Sequence, residues 1–405
     1  MWSTKIFKSR IAWKELAPAL IVVFNSLVWY TLTYALFTDA INKLSISASE
    51  TLMLFVIYYV GVAFSAILGS IFFSRTRESC LLLWMFVGAV TTALLTTIAN
   101  NSTPINILIS LFLGISIGMG LPSTLAYFAD VTLVENRGTY GGIIWSAVGF
   151  GVLILALLIN ELDLALAFAT LAIWRALGLI TFFFSKSKGK IRLVRNPSAF
   201  RFILRRRDMI LYMVPWIMFC LVNFTETPIL EKVFGDFYIF VGFIEFALAG
   251  FFALVGGLLA DLVGRKRVVI TGFVMLGIGY ATLSLLSEMP VSWYLYTACD
   301  GIAWGMFASV FFMTIWGDLA GKYQKEKFYL IGGLPYLLAG LLSILVKPYV
   351  EVIPLSTALS LASFFLFLAV LPLMYAPETL PEKKIRKREL KEYIEKAKKI
   401  KEKYD

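Results

Sequence analysis

The hydrophobic positions of this chain fall into long, uninterrupted runs, and the polar and charged positions are concentrated in the short connections between them. A helix needs about 20 consecutive, mostly apolar residues to cross the hydrocarbon core of a bilayer. The sequence meets this requirement repeatedly. The predicted spans are 17–37, 51–73, 80–98, 105–128, 141–159, 164–184, 209–230, 237–260, 268–287, 292–317, 328–346 and 355–375.

This pattern predicts an all-α polytopic membrane protein with twelve transmembrane helices. The composition agrees, because 59% of the residues are hydrophobic and only 16% are charged, whereas charged residues make up about 25% of a typical soluble domain. The first apolar run is of membrane length and lacks a small-residue cleavage pattern, so we expect it to remain as the first helix.

The basic residues predict on which side of the membrane each connection lies. Of the 37 Lys and Arg residues, only Lys43, Lys232 and Lys347 fall in the connections on one side. Because basic residues are retained in the cytoplasm, we expect a multi-pass plasma-membrane protein with both termini cytoplasmic. The connection 185–208 carries nine basic residues. It is interpreted as a topology determinant lying on anionic lipid headgroups, with a regulatory or partner-docking role as the alternative.

The net charge of +11 does not indicate a nucleic-acid protein, because the basic residues are dispersed among the connections instead of clustering on one solvated face. The three cysteines show no paired spacing, and the sequence contains no histidine. We therefore expect no metal site, no cofactor and no disulfide framework. No phosphate-binding glycine loop or nucleophilic triad is evident, so the chain is not expected to be an enzyme. Proton chemistry would have to use carboxylates.

Four landmarks in the first half of the chain recur in the second half at one common offset of 188 residues. Parallel repeats of this kind occur in some transporter folds. The sequence therefore predicts a six-helix half 1–184, a basic linker 185–208, a second six-helix half 209–376 and a charged tail 377–405. The recurring pairs are Gly69 with Gly257, Arg77 with Arg265, Asp130 with Asp318, and Arg137 with Lys325.

The segment 257–267, with the sequence GLLADLVGRKR, resembles the cytoplasmic signature of the major facilitator superfamily, G-x-L-x-D-R-x-G-R-[KR]-[KR], with Leu262 in place of the first arginine. Two further segments resemble sugar-porter motifs of that superfamily. They are Pro122-x4-Tyr127-x2-Asp130-x6-Arg137-Gly138, which is similar to P-x-Y-x2-E-x6-R-G with one extra spacing, and Pro377-Glu378-Thr379 after the last helix.

The sequence also departs from the pattern of that family. Phe73 occupies the first-half position that matches Asp261, and the first helix offers Asn25 and Ser26 where proton-coupled sugar porters usually carry an aspartate. The fourth helix has Ser110 where they carry an arginine. These departures weigh against a direct transfer of sugar specificity or proton coupling.

The resemblance implies a carrier whose two halves rock around a central site, with a charged cluster closing the cytoplasmic ends of the helices. It also implies that helices 1, 2, 4, 5, 7, 8, 10 and 11 surround the cavity. The residues that the resemblance places in the cytoplasmic gate are Gly257, Asp261, Gly264, Arg265, Asp318, Asp130, Arg137 and Arg77.

Four ionisable residues fall within the predicted spans, and such residues are functional candidates because an isolated charge is costly in a membrane. Asp300 and Glu245 are cavity candidates, whereas Glu226 lies close enough to the outer end of its helix to be hydrated. Arg175 is expected to pair with a neighbouring helix or a backbone carbonyl, with an anion-binding or coupling role as the alternative. The polar and aromatic candidates for the cavity lining are Asn25, Trp29, Tyr34, Trp145, Asn223, Trp304 and Tyr336.

The sequence thus favours a secondary active transporter for a small polar solute, with sugars or organic acids ahead of cationic drugs. Protons or another ion are the candidate coupling partners, membrane lipids are the expected surroundings, and a monomer is the expected state. Two alternatives stay open: a multidrug or metabolite efflux carrier, and a transporter-like sensor that no longer moves solute.

Overall fold

The computed structural model describes residues 13–73, 77–185 and 199–381, and within these ranges the chain is helical with no β-strand. The twelve membrane helices occupy the following residues: α1 Trp13–Lys43, α2 Ala48–Phe72, α3 Arg77–Asn100, α4 Thr103–Val131, α5 Arg137–Ile159, α6 Leu164–Ser185, α7 Arg207–Phe234, α8 Tyr238–Val263, α9 Arg265–Leu285, α10 Pro290–Ala320, α11 Lys325–Val346 and α12 Leu355–Tyr375.

The number of crossings agrees with the sequence prediction. Eleven segments of the described chain are long and apolar enough to cross a membrane, and one of them, Arg207–Val263, is 57 residues long. At about 1.5 Å per residue such a segment is far longer than a bilayer is thick. A 3₁₀ turn at Gly235–Phe237 divides it into α7 and α8, so the segment crosses twice.

Two of the helices change their winding inside the membrane. In α4, the segments Thr103–Gly118 and Leu121–Val131 are separated by a short turn that precedes Pro122. In α10, an α-helical segment is followed by a π-helical stretch, Ala308–Ile315, in which all eight residues are buried. Runs of π-helix are rare and are often found at functional sites.

We call α1–α6 the N-terminal half and α7–α12 the C-terminal half; their equivalence as a duplicated pair stays a prediction. The halves meet mainly where α5 packs on α8 and where α2 packs on α11. Small residues allow the close approach of α5 and α8, because a side chain at Gly257 would collide with the carbonyl oxygen of Gly138. Gly142 likewise packs against Ala253. Contacts between small residues are the usual means by which membrane helices approach closely.

The described helix ends that flank the connections α2–α3, α4–α5, α6–α7, α8–α9 and α10–α11 lie at one end of the bundle, which we call the linker face. The helix ends that flank the other connections lie at the opposite face. The basic linker 185–208 and the charged tail 377–405 are described only at their edges, because 186–198 and 382–405 lie outside the described residues. The turn between α8 and α9 is a single residue, Gly264, whose φ of 108° favours glycine.

Candidate functional site

The predicted gate residues come together at the linker face in a network of buried charges, which we call the linker-face cluster. It comprises Arg77, Asp130 and Arg137 from the N-terminal half with Asp261, Arg265, Asp318, Lys325 and Glu326 from the C-terminal half.

Each half forms ion pairs of its own in this cluster. In the N-terminal half, Arg77 Nη1 at the start of α3 lies 2.7 Å from Asp130 Oδ2 near the end of α4. In the C-terminal half, Arg265 Nη2 lies 2.8 Å from Asp261 Oδ1, and Arg265 Nε lies 3.2 Å from Asp318 Oδ2. The pairs Arg77–Asp130 and Arg265–Asp318 are related by the offset of 188 residues.

Three further ion pairs join the two halves. Arg137 pairs with Asp318, and Arg77 pairs with Glu326. Lys325 Nζ lies 2.9 Å from Asp130 Oδ1. These contacts tie the linker-face ends of α3, α4 and α5 to those of α10 and α11.

A fourth contact between the halves uses a helix terminus. Asp261, near the end of α8, accepts hydrogen bonds from the backbone N–H groups of Gly138 and Thr139 at 3.1 and 2.6 Å, and from the Thr139 hydroxyl at 2.7 Å. Gly138 and Thr139 lie in the first turn of α5, where backbone N–H groups have no partner within the helix and the helix dipole favours a negative charge. The Asp261 carboxylate of one half therefore caps a helix of the other.

The chain segment after α12 also reaches the cluster. The Glu378 carboxylate accepts the backbone N–H groups of Arg265 and Lys266 at 2.9 and 3.1 Å, capping α9 in the same way as Asp261 caps α5. The Thr379 hydroxyl donates to Asp318 at 3.2 Å. The Pro377-Glu378-Thr379 motif is thus part of the closed linker face.

Most of the linker-face cluster is buried, and the side chains of Arg77 and Lys325 are 11% and 12% exposed. The relative exposure of Arg265 and Glu326 is 0%, that of Arg137 is 2% and that of Asp261 is 4%. Removing one partner of a buried ion pair typically costs about 3–5 kcal/mol, because an uncompensated charge remains in a low dielectric. The cluster therefore holds the two halves together at this face with considerable specificity.

Sequence reasoning assigned six of these eight residues to the gate, gave Lys325 only as a repeated landmark and missed Glu326. It also missed Thr139, which donates to Asp261. Glu326 follows Lys325, the counterpart of Arg137, and lies in the first turn of α11. Its position beside a repeated basic landmark is the sequence signal that could have identified Glu326. Its partner Arg77 belongs to the other half. The repeat suggests pairs within each half, so it could not identify this pair between the halves.

The predicted aromatic residues form a second group, midway along the helices where the halves meet. Trp145 of α5 lies 5.3 Å from Phe312 in the π-helical stretch of α10, measured between ring centroids, so this contact joins the halves. Phe312 packs edge-on against Tyr336 at 4.7 Å, and Tyr336 against Trp304 at 6.0 Å. Trp145, Trp304 and Tyr336 are each only half-buried.

Tyrosines of α1 and α2 lie on the other side of this aromatic group. The Tyr34 hydroxyl is hydrogen-bonded to the Tyr59 hydroxyl at 2.5 Å, and both hydroxyls pack against Gly340 of α11. Tyr34 also stacks on Tyr30 and Tyr58 at 6.4 and 5.8 Å. Aromatic faces with a few hydroxyl groups can bind a small polar solute.

The predicted membrane carboxylates lie within the C-terminal half. Asp300 of α10 and Glu226 of α7 are 3% and 7% exposed, and Asp300 Oδ1 and Glu226 Oε2 have no hydrogen-bond partner among the described residues. Glu245 of α8 lies within electrostatic range of Asp300, and Tyr280 lies within range of all three carboxylates. Asn223, one turn before Glu226 on α7, is half-buried. The structure thus brings Glu245 and Asp300 together, whereas Glu226 lies within electrostatic range of Tyr280.

Asn25 and Arg175 form a separate polar site inside the N-terminal half. Arg175 Nη1 donates to Asn25 Oδ1 at 3.0 Å and to the Ser26 hydroxyl at 2.7 Å. Asn25 in turn donates through Nδ2 to the backbone carbonyl of Trp174 at 2.8 Å. The amide of Asn25 therefore points towards α6. Arg175 does pair with a neighbouring helix, as the sequence analysis expected.

In the described ranges, no three side chains among His, Cys, Asp and Glu come together in an arrangement that could hold a metal ion. The chemistry that these sites offer is ion pairing, hydrogen bonding and aromatic contact.

Comparisons with known proteins agree with this architecture. The sequence model of the Major Facilitator Superfamily matches residues 19–241, which is more than half of the chain. No curated protein sequence matches the chain significantly.

Among solved structures, the chain is similar to the proton:xylose symporter XylE bound to 6-bromo-6-deoxy-D-glucose, with a TM-score of 0.68 and 16% identity over 90% of this chain and 96% of that one. It is also similar to XylE from E. coli in a partially occluded inward-open conformation, with a TM-score of 0.62, 14% identity, and 91% and 99% of the two chains covered. A third similar structure is the human organic anion transporter MFSD10, with a TM-score of 0.61, 15% identity, and 89% and 99% covered. At these identities the likeness establishes the fold.

Proposed function

Because this chain belongs to the major facilitator superfamily, a superfamily of transporters and not of enzymes, we propose that it moves a small polar solute across its membrane by alternating access. The observation that carries the proposal is the linker-face cluster. Among the described residues, the ion pairs that join the two helix bundles lie at one face, as required of a gate that opens and closes. The half-buried aromatic group beyond it is the proposed solute site, reached from the opposite face while the linker face is closed.

The chemistry of the aromatic group supports a neutral polar solute best. Tyr34, Trp145, Trp304 and Tyr336 offer ring faces, hydroxyls and indole N–H groups, which suit sugar-like rings with several hydroxyls. Trp145 Nε1 is buried and has no hydrogen-bond partner among the described residues, so we propose that it donates to the bound solute. An organic acid is the second candidate. Protons are the proposed coupling ion, with Asp300 and Glu245 as the groups that would bind them.

The gate is tested by Asp261→Asn, which preserves the side-chain shape but removes the charge that caps α5. Loss of hydrogen bonds to a charged group should destabilise the closed linker face by about 1.5–3 kcal/mol each. Turnover in proteoliposomes should fall by at least about tenfold, while solute affinity of the detergent-solubilised protein, whose two faces are both accessible, should change by less than about twofold.

The matched control for this experiment is Asp39→Asn. Asp39 pairs with Lys43 on the opposite face and is exposed, and a surface pair of this kind contributes little. Its turnover should equal that of the wild type. If Asp261→Asn also retained full turnover, the gate assignment would be refuted; if the wild type itself transported no solute, the carrier proposal would fail.

We also propose that the linker face is cytoplasmic and that the protein lies in the plasma membrane. In a background lacking Cys80, Cys220 and Cys299, an impermeant thiol reagent applied to intact cells should label Ser49→Cys, whose exposed position lies at the opposite face. It should not label Asn196→Cys in the basic linker until the cells are permeabilised. Labelling of Asn196→Cys alone in intact cells would reverse the orientation.

A further inference from the structure

Arg175 is a buried membrane cation that neither the gate nor the proposed solute site uses. It lies 11 residues from the first residue of α6, Leu164–Ser185, or about 16 Å along the helix at 1.5 Å per residue. Its relative exposure is 0%. The guanidinium group is therefore close to mid-membrane, beyond the reach of a lipid headgroup, and an isolated charge at that depth is costly.

Two tryptophans enclose the guanidinium group. Its central carbon lies 4.3 Å from the ring centroid of Trp29 on α1 and 4.2 Å from that of Trp84 on α3. Both indoles are held in place, since Trp29 Nε1 donates to the Thr92 hydroxyl at 2.8 Å and Trp84 Nε1 donates to the Ser116 carbonyl. Cation–π contacts stabilise the charge, but an indole face offers no acceptor for the N–H groups in the guanidinium plane.

One edge of the guanidinium group donates hydrogen bonds to the protein. The edge formed by Nε and Nη2, which we call the free edge, does not. Nη1 donates to Asn25 and Ser26, whereas Nε and Nη2 have no hydrogen-bond partner among the described residues. Nε–H and one Nη2–H are parallel and form the fork that binds planar oxyanions in a bidentate manner. No carboxylate of the described chain forms an ion pair with this side chain.

Two glycines shape the space around the guanidinium group. Gly88 of α3 lies beside the free edge, since a Cβ there would be 3.1 Å from Arg175 Nε. Gly178, one turn after Arg175, leaves the space that the Asn25 amide occupies. The site therefore combines a desolvated positive charge, two free parallel donors and rigid aromatic walls.

We propose that the free edge of Arg175 binds a small monovalent anion, such as chloride, nitrate or formate, inside the N-terminal half. The anion accepts the Nε and Nη2 hydrogen bonds and neutralises the charge, which a water molecule in the same place could not do. This inference is independent of the proposed transport, because the site lies among α1, α3 and α6, away from the contacts between the halves.

The test is the thermal unfolding of the purified full-length protein in chloride, nitrate or formate, compared with gluconate at the same cation concentration, ionic strength and pH. A ligand that binds only the folded state raises its stability in a saturable manner. For the wild type we expect the unfolding temperature to rise by about 3 °C at a saturating concentration of a small anion.

Arg175→Gln should remove this rise, and Lys232→Gln should keep it. Lys232 pairs with Glu351 at the exposed opposite face, so its replacement removes one positive charge without touching the site and reports general salt effects. The proposal is overturned if the wild type unfolds at the same temperature in all four salts, or if Arg175→Gln shows the same rise as the wild type.

Asn25→Asp provides a second variant should Arg175→Gln fail to fold. It places a carboxylate at the position where Asn25 Oδ1 lies 3.0 Å from Arg175 Nη1, so that the protein supplies its own anion. This variant should unfold at the same temperature in chloride and in gluconate. A rise in chloride as large as that of the wild type would contradict the proposal.

Discussion

Asp318→Asn is expected to open the linker face. Asp318 is the acidic partner of two buried arginines from different halves, Arg137 and Arg265, and it also accepts the Thr379 hydroxyl. Its side chain is 1% exposed. Neutralising it leaves Arg137 with only hydrogen bonds to Thr132 and to backbone carbonyls of the described chain. The closed state loses about 3–5 kcal/mol, whereas in an open state water solvates the same groups.

A change of this size shifts the balance between closed and open linker faces by about two to four orders of magnitude. Ser70→Cys reports the shift in the cysteine-free background, because Ser70 is fully buried at the end of α2 and its carbonyl accepts the Gln324 amide across the halves at 3.3 Å. Its reaction with a small thiol reagent should be slow in the otherwise unchanged protein and much faster with Asp318→Asn.

The control for this experiment is Glu351→Gln, which removes an exposed acid from the opposite face and should leave the reactivity of Ser70→Cys unchanged. Solute uptake should be strongly reduced by Asp318→Asn and unaffected by Glu351→Gln. If Ser70→Cys were equally unreactive with and without Asp318→Asn, the cluster would not be what keeps this face closed.

The sequence predicted the linker face well because its signals are local. Arg77, Asp130, Arg265 and Asp318 lie at the ends of apolar runs, where a charge interrupts the pattern, and their common offset pairs them within each half. The helix ends were also predicted closely. The largest extension is in α1, which continues to Lys43 beyond the expected end at 37, because a polar turn outside the apolar run can stay helical.

The interior sites were harder to predict because the rotation of each helix about its axis is weakly encoded. In a membrane both the lipid-facing and the packed faces of a helix are apolar, so hydropathy does not show which face points to the cavity. Asn25 illustrates the difficulty: the sequence places it on a cavity helix, and its amide bonds to Trp174 and Arg175 of α6. The proximity of Glu245 and Asp300 likewise depends on tertiary packing between α8 and α10.

Asp300 is proposed to carry the coupling proton, and its surroundings in the structure determine which substitution tests this role. Close packing fixes its helix against α8, because Gly301 lies against Leu248 and Gly305 against the backbone at Ala253. A carboxylate with a free oxygen, held inside the membrane beside Glu245, can exchange a proton without disturbing an existing ion pair. Asp300→Asn keeps the side-chain shape and cannot take up a proton.

In proteoliposomes with an imposed gradient of about one pH unit, one proton per solute molecule drives about tenfold accumulation. If Asp300 is the coupling group, Asp300→Asn should accumulate no solute above equilibration, while exchange of labelled for unlabelled solute, which needs no net proton movement, continues at close to the wild-type rate.

Asp236→Asn, which replaces an exposed acid in the turn between α7 and α8, is the matched control and should retain both activities. Loss of exchange together with solute binding in Asp300→Asn would instead make Asp300 a solute ligand. Wild-type accumulation, exchange and affinity in Asp300→Asn would assign the residue a structural role, and Glu245→Gln would then be the variant in which the loss of accumulation is expected.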